Sequence, residues 1–153
     1  MGTKNHILIS LSESDKTQFG KQDFPSQSTT PQKVFSSIWA LESEVNSGGF
    51  SQYFLNNSCE TAPFVAEALD SIGAPRTADI CRRAITTAFP AGLPSSPDAI
   101  SPAAAEFSDE VMQNLGSLDN EFFAYPHNLT DLLFAFVSKH PEEFGELPKA
   151  DDE

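Results

Sequence analysis

Three carboxylates, Glu106, Asp109 and Glu110, stand at i, i+3, i+4 spacing with no basic residue at helical distance, and Asp119 and Glu121 follow. Like charges so placed cost a helix about 0.2–0.5 kcal/mol per pair. The positive N-terminal end of a helix offsets that for Glu106 alone. A chain selected only for stability would interleave lysines. The chemistry open to such a row is electrostatic: it attracts ammonium and guanidinium groups and repels phosphate. The plain alternative is a face charged for solubility.

Other reactive residues are few. There is no GxSxG, P-loop or GxGxxG pattern, so nothing presents a nucleophile or cradles phosphate. His6, His127 and His140 are far apart in sequence. His127 and Asp131 are four residues apart and share a helix face, yet two ligands do not make a metal site and helix capping explains both. Cys59 and Cys81 show no CxxC or Cys/His spacing and read as buried small side chains. These observations predict no catalytic residue, no metal and no cofactor. Nucleic acid is disfavoured as a direct ligand, because only Arg82 and Arg83 adjoin among nine scattered bases.

The elements that must position the acids are helical. Val34, Phe35, Ile38, Trp39, Leu41 and Val45 form one apolar stripe, predicting a helix over 32–46 that stops at Gly48-Gly49. Phe50, Tyr53 and Phe54 suggest a short second helix. Thr61 is a candidate cap for a helix ended by Gly73, and Pro75 opens another with Ile80, Cys81, Ala84, Ile85 and Ala88 inward. After the Pro/Ser-rich loop 90–101, Ser101-Pro102 predicts a helix burying Ala104, Phe107, Val111 and Leu115. A short piece follows over 119–124. Asn128 then caps a helix with Leu129, Leu132, Leu133, Phe136 and Val137 on one face, Asp131 placed to satisfy a free N–H, and Pro141 as its stop. The expected fold is all-α, a compact domain of about five to seven helices over 32–146. It is flanked by a flexible, disordered arm (1–31) and an acidic tail (147–153). Ile7–Leu11 reads as a short pairing strand, and deletion of the arm is expected to cost little stability.

The composition has one outlier. Against 22 acids stand 9 bases, a net charge of −13, in 153 residues. Residues 1–31 are balanced, so the whole excess falls on 32–153, and from Asp98 onward 13 acids face only Lys139 and Lys149. Such a field excludes nucleic acid and acidic membranes as partners and favours a basic protein. The apolar run at 7–11 is too short for a signal peptide and no 18 apolar residues adjoin, so the expected address is the cytoplasm, without membrane contact.

The stretch Trp39-Ala-Leu-Glu-Ser-Glu-Val-Asn46-Ser-Gly48-Gly49-Phe50-Ser-Gln52-Tyr-Phe54-Leu-Asn56 resembles the bacterial DNA-mimic protein (DMP) domain family, long catalogued as a domain of unknown function. Glu67-Ala-Leu-Asp-Ser-Ile-Gly73-Ala74 is similar to its next helix, and Leu118-Asp119-x-Glu121-Phe122-Phe123 with Lys139-His140-Pro141-Glu142-Glu143-Phe144 to its C-terminal part. The likeness covers about 33–146. Cys59 departs from it, standing where the family often carries a glycine. The resemblance implies an all-α fold, often a homodimer, in which acidic side chains imitate phosphates and occupy the DNA-binding face of a transcription regulator. From the residues themselves, Trp39, Asn46, Gly48, Gly49, Phe50, Gln52 and Phe54 read as architecture, with Asn46 and Gln52 tying down free carbonyls at the helix stop. The candidate partner-binding acids are Glu106, Asp109, Glu110, Asp119 and Glu121. An immunity or antitoxin-like inhibitor of a toxin, or an enzyme whose residues converge only in space, remain alternatives.

Overall fold

The computed structural model describes residues 3–12 and 30–144, and among these there are eight α-helices and no strand. The helices are α1 (Lys4–Ser12), α2 (Thr30–Leu55), α3 (Ala62–Ser71), α4 (Pro75–Ala88), α5 (Ile100–Ala104), α6 (Asp109–Phe123), α7 (Leu129–Ser138) and α8 (Pro141–Phe144). Helix α2 is the spine: α3, α5 and α6 pack against it, α4 joins α3 to α6, and α1 lies on α7. The apolar stripe of α2 is buried as expected, with Val34, Phe35, Ile38, Leu41 and Val45 all at most 1% exposed.

The glycine pair breaks α2 without separating its halves. Gly48 (φ −154°, ψ 17°) and Gly49 (φ 78°, ψ −177°) leave helical geometry, and the positive φ at Gly49 is one that side-chain-bearing residues rarely adopt. The break turns Phe50 and Phe54 into an aromatic core. Phe50 meets Phe122 edge-on, and Phe54 meets Phe89 and Phe107 edge-on, with ring centroids 5.4–6.2 Å apart. Gly73 (φ 86°) ends α3 in a Schellman motif: Ala74 N–H donates to Leu69 O and Gly73 N–H to Asp70 O.

Four expectations need correction. Residues 4–12 form a helix rather than a strand, because Ile7, Leu8 and Leu11 share one face and are buried at 4%, 1% and 5% exposure. The rest of the arm, 13–29, and the tail from 145 lie outside the described residues. Thr61 precedes α3 but its hydroxyl does not cap it: a 3-10 turn (Asn57–Thr61) leads in, and the hydroxyl pairs with Tyr53 Oη (2.5 Å) and Ser58 O (2.8 Å). The helix predicted from Ser101 is two helices, α5 and α6, with Ala105–Ser108 between them. Finally, 119–124 is not a separate piece, since α6 runs through Gly116 to Phe123.

Candidate functional site

The break before α6 decides where the acids point. Ser108 takes an extended conformation and its hydroxyl accepts the Val111 N–H (3.2 Å), making it the N-cap. Asp109 and Glu110 therefore occupy the first turn, where the helix dipole favours negative charge, while Glu106 sits in the preceding turn. The three do not form one helical stripe, and the repulsion expected of an i, i+3, i+4 row does not apply. The dipole offset falls on Asp109 and Glu110 instead of Glu106. All three are exposed, and none forms an ion pair among the described residues.

Asp119 and Glu121 are placed differently. Asp119 reaches across from α6 to the break in α2, where its Oδ1 accepts the Phe50 N–H at 2.8 Å. Burial pushes its carboxyl above the usual range, and the hydrogen bond pulls the other way. Glu121 forms a bidentate pair with Arg83 (2.8 and 2.9 Å), which holds its carboxyl below the usual range. Arg83 also binds Asp79 at 2.9 Å.

The glycine block is tied together by side chains rather than through its carbonyls. Gln52 Nε2 and Asn56 Nδ2 both donate to Glu44 Oε2 (2.7 and 2.9 Å), clasping the two halves of α2. Asn46 Nδ2 donates to Tyr125 Oη at 2.8 Å. Neither Asn46 nor Gln52 takes the carbonyl-capping role expected of it. Trp39 stacks on Phe35 at 5.5 Å.

A match to the family model described as DMP19-like protein spans residues 26–140, most of the chain. The chain belongs to the DMP19-like protein family. The DMP19-like match contains the glycine block, the capped start of α6 and the Asp119 contact that joins them. Comparison with curated proteins and with solved structures gives no match.

The remaining reactive residues of this DMP19-like chain have structural contacts. His127 Nε2 accepts the Arg76 N–H at the start of α4 (3.2 Å), and Asp131 pairs with Lys4 (3.1 Å) rather than capping α7. The α7 cap is Asn128, whose Oδ1 accepts the Asp131 N–H at 3.1 Å. His140 lies against Phe136 and 3.3 Å from Glu142. Cys81 is buried, its thiol pushed up to about 12, and the Cys59 thiol is raised by burial too. Among the described residues no group of three His, Cys, Asp or Glu is placed to hold a metal ion. No described helix is long and apolar enough to cross a membrane.

One group escaped the sequence reading. Glu42, an acid on the helix that carries the apolar stripe, is half-buried in a cleft beside Tyr125, whose φ is +47°. Nothing in the local pattern around Glu42 signals a tyrosine arriving from the far end of α6.

Proposed function

We propose that this protein binds a basic, DNA-binding protein and competes with DNA for it, its carboxylates standing in for phosphates. The observation that carries the reading is the exposed trio Glu106, Asp109 and Glu110 around the capped start of α6. It lies inside a stretch, Ala84 to Ser138, that holds no lysine or arginine at all. Lys4 on α1 and Arg82 and Arg83 on α4 pair with Asp131, Asp70, Asp79 and Glu121, so these cations neutralise acids other than the trio. Family membership supports the same reading, and it supports binding over catalysis. Asp119 and Glu121 belong to this surface as flanking charges, the first fixed by Phe50 N–H and the second shared with Arg83. The site of action is the cytoplasm, where such partners work, and a homodimer would double the acidic surface.

A second reading, an inhibitor that neutralises a basic toxin, draws support from the concave cleft at Glu42. Both readings are tested by coupling the protein to a resin, passing native lysate over it and eluting with salt. A regulator recovered this way should release DNA when this protein is added. Its affinity should fall steeply with ionic strength, and the triple variant Glu106→Gln, Asp109→Asn, Glu110→Gln should bind it markedly more weakly. A ternary complex with DNA, or unchanged binding by the triple variant, would sink the mimic reading.

A further inference from the structure

A cleft of about 520 Å³ opens between α1, α2 and the start of α7, within the size range of small-ligand sites. Its walls carry Glu42 and Asn46 from α2, Asn5 from α1, Tyr125, and Asn128 with Thr130 from the start of α7. We infer that this cleft receives a single arginine side chain of the basic partner, its guanidinium paired with Glu42 and laid against the Tyr125 ring. The inference rests on the partner-binding reading above for the source of the arginine, and adds a receptor at a place the acidic trio does not reach.

Three observations converge. First, Glu42 has no ion-pair partner among the described residues. The nearest cation in sequence to the cleft wall, Lys4, is engaged by Asp131 at 3.1 Å and lies 5.9 Å from the Phe134 ring centroid, so it does not fill the space. Burial pushes the Glu42 carboxyl above the usual range, with the Tyr125 phenol pulling it back. An arriving cation restores the stabilisation that lost hydration removed.

Second, Tyr125 is held beside the carboxylate. Asn46 donates to Tyr125 Oη at 2.8 Å, and the phenol pulls the Glu42 carboxyl downward. A carboxylate offers about four lone-pair positions, enough for a guanidinium as well. Third, Tyr125 is the sole non-glycine residue with positive φ among the described residues. That conformation costs an aromatic residue about 1–2 kcal/mol. It is held by Tyr125 N–H donating to Phe122 O (2.9 Å) and by the ring lying 5.5 Å from Phe122. The result is a tyrosine that remains 38% exposed while its hydroxyl is fixed. Arginine suits such a site better than lysine. Its planar fork matches a carboxylate, its flat face packs on an aromatic ring, and it is more weakly hydrated. Asn5 lies in the same walls, and its side-chain carbonyl is an acceptor type suited to the remaining N–H groups.

The test uses the full chain, isotopically labelled, titrated with N-acetyl-arginine amide while the Asn46 side-chain and Thr130 backbone NMR signals are followed. Saturable shifts are expected with the arginine amide, several-fold weaker ones with N-acetyl-lysine amide, and none with the neutral isostere N-acetyl-citrulline amide. Glu42→Gln should weaken arginine binding about tenfold or more, since it removes the paired charge and little volume. Tyr125→Phe keeps the ring on Phe122 but frees Glu42, and should weaken binding several-fold. No saturation with the arginine amide, equal response to citrulline, or unchanged binding by folded Glu42→Gln would each overturn the inference. Because the probe is an amino-acid amide, failure here leaves the partner reading standing, and failure of the lysate experiment leaves this result untouched.

Discussion

Replacing Asp119 by alanine should cost about 2 kcal/mol of stability. The Phe50 amide is the first donor after the break in α2, and Phe50 is 1% exposed, so without Asp119 its N–H loses a charged acceptor at 2.8 Å in a place water reaches poorly. Hydrogen bonds to charged groups contribute about 1.5–3 kcal/mol, and an orphaned buried donor costs a similar amount. For a chain of this length that predicts a fall in Tm of about 4–8 °C. Asp119→Asn separates acceptor from charge. Its side-chain oxygen still accepts from Phe50, less strongly, while the charge that burial disfavours is gone. The sign follows from linkage. A carboxyl raised above its ordinary 3.8 binds its proton more tightly when folded, so the stability it contributes is full below that value and is lost as pH rises through the folded value. At neutral pH the two changes oppose each other, and Asp119→Asn should stay within about 1 kcal/mol of wild type. Urea unfolding followed by circular dichroism reads both variants. Alanine behaving like wild type, or asparagine as badly as alanine, would refute the reasoning, the second by showing that charge rather than acceptor geometry matters.

Gly49→Ala should destabilise by more than about 2 kcal/mol, because it forces alanine to positive φ and drives its Cβ into the Asp119 carboxylate; thermal melting checks it, and a neutral result would mean the break can relocate. The triple variant of Glu106, Asp109 and Glu110 should be slightly less stable than wild type, by about 0.5–1 kcal/mol, since two of its charges sit at a helix N-terminus. A gain in urea midpoint would restore the simple repulsion picture. Against the small cost that the sequence leads one to expect of the arm, removing residues 1–12 should cost about 3–6 kcal/mol through loss of Ile7, Leu8 and Leu11 from the core; calorimetry showing no change would mean α1 does not stay docked.

Periodicity and punctuation carried most of the fold. The apolar stripe of α2, the Gly73 stop, Pro75 at the start of α4 and the Asn128 cap are local signals; the stop and the cap are realised through contacts a few residues apart, and the stripe by the helices that pack on it. The misreadings share a cause: local patterns that compete. Ala104, Phe107, Val111 and Leu115 continue a helical stripe, but Ser108-Asp109-Glu110 is also a good N-terminus, and the cap prevailed because it satisfies free N–H groups. In the 1–12 region Ile7, Leu8 and Leu11 have helical spacing too short to outweigh polar surroundings until α7 supplies a surface. The acids were legible as a set, not as individuals. Asp119 finds Phe50, Glu121 finds Arg83 and Glu42 finds Tyr125 across 38 to 83 positions, distances at which sequence spacing says nothing.

The stretch from Ala84 to Ser138 without lysine or arginine also determines how the molecule can be handled. Described lysines stand only on α1, on the first half of α2 and just after α7. Amine-reactive coupling therefore attaches the protein to a sensor surface by other parts of the chain, leaving the α5–α6 turn unmodified. Trypsin has no site between Arg83 and Lys139, so one peptide carries the acidic trio, Asp119 and Tyr125 together. Any crosslink or modification acquired there from a partner would be read from a single fragment.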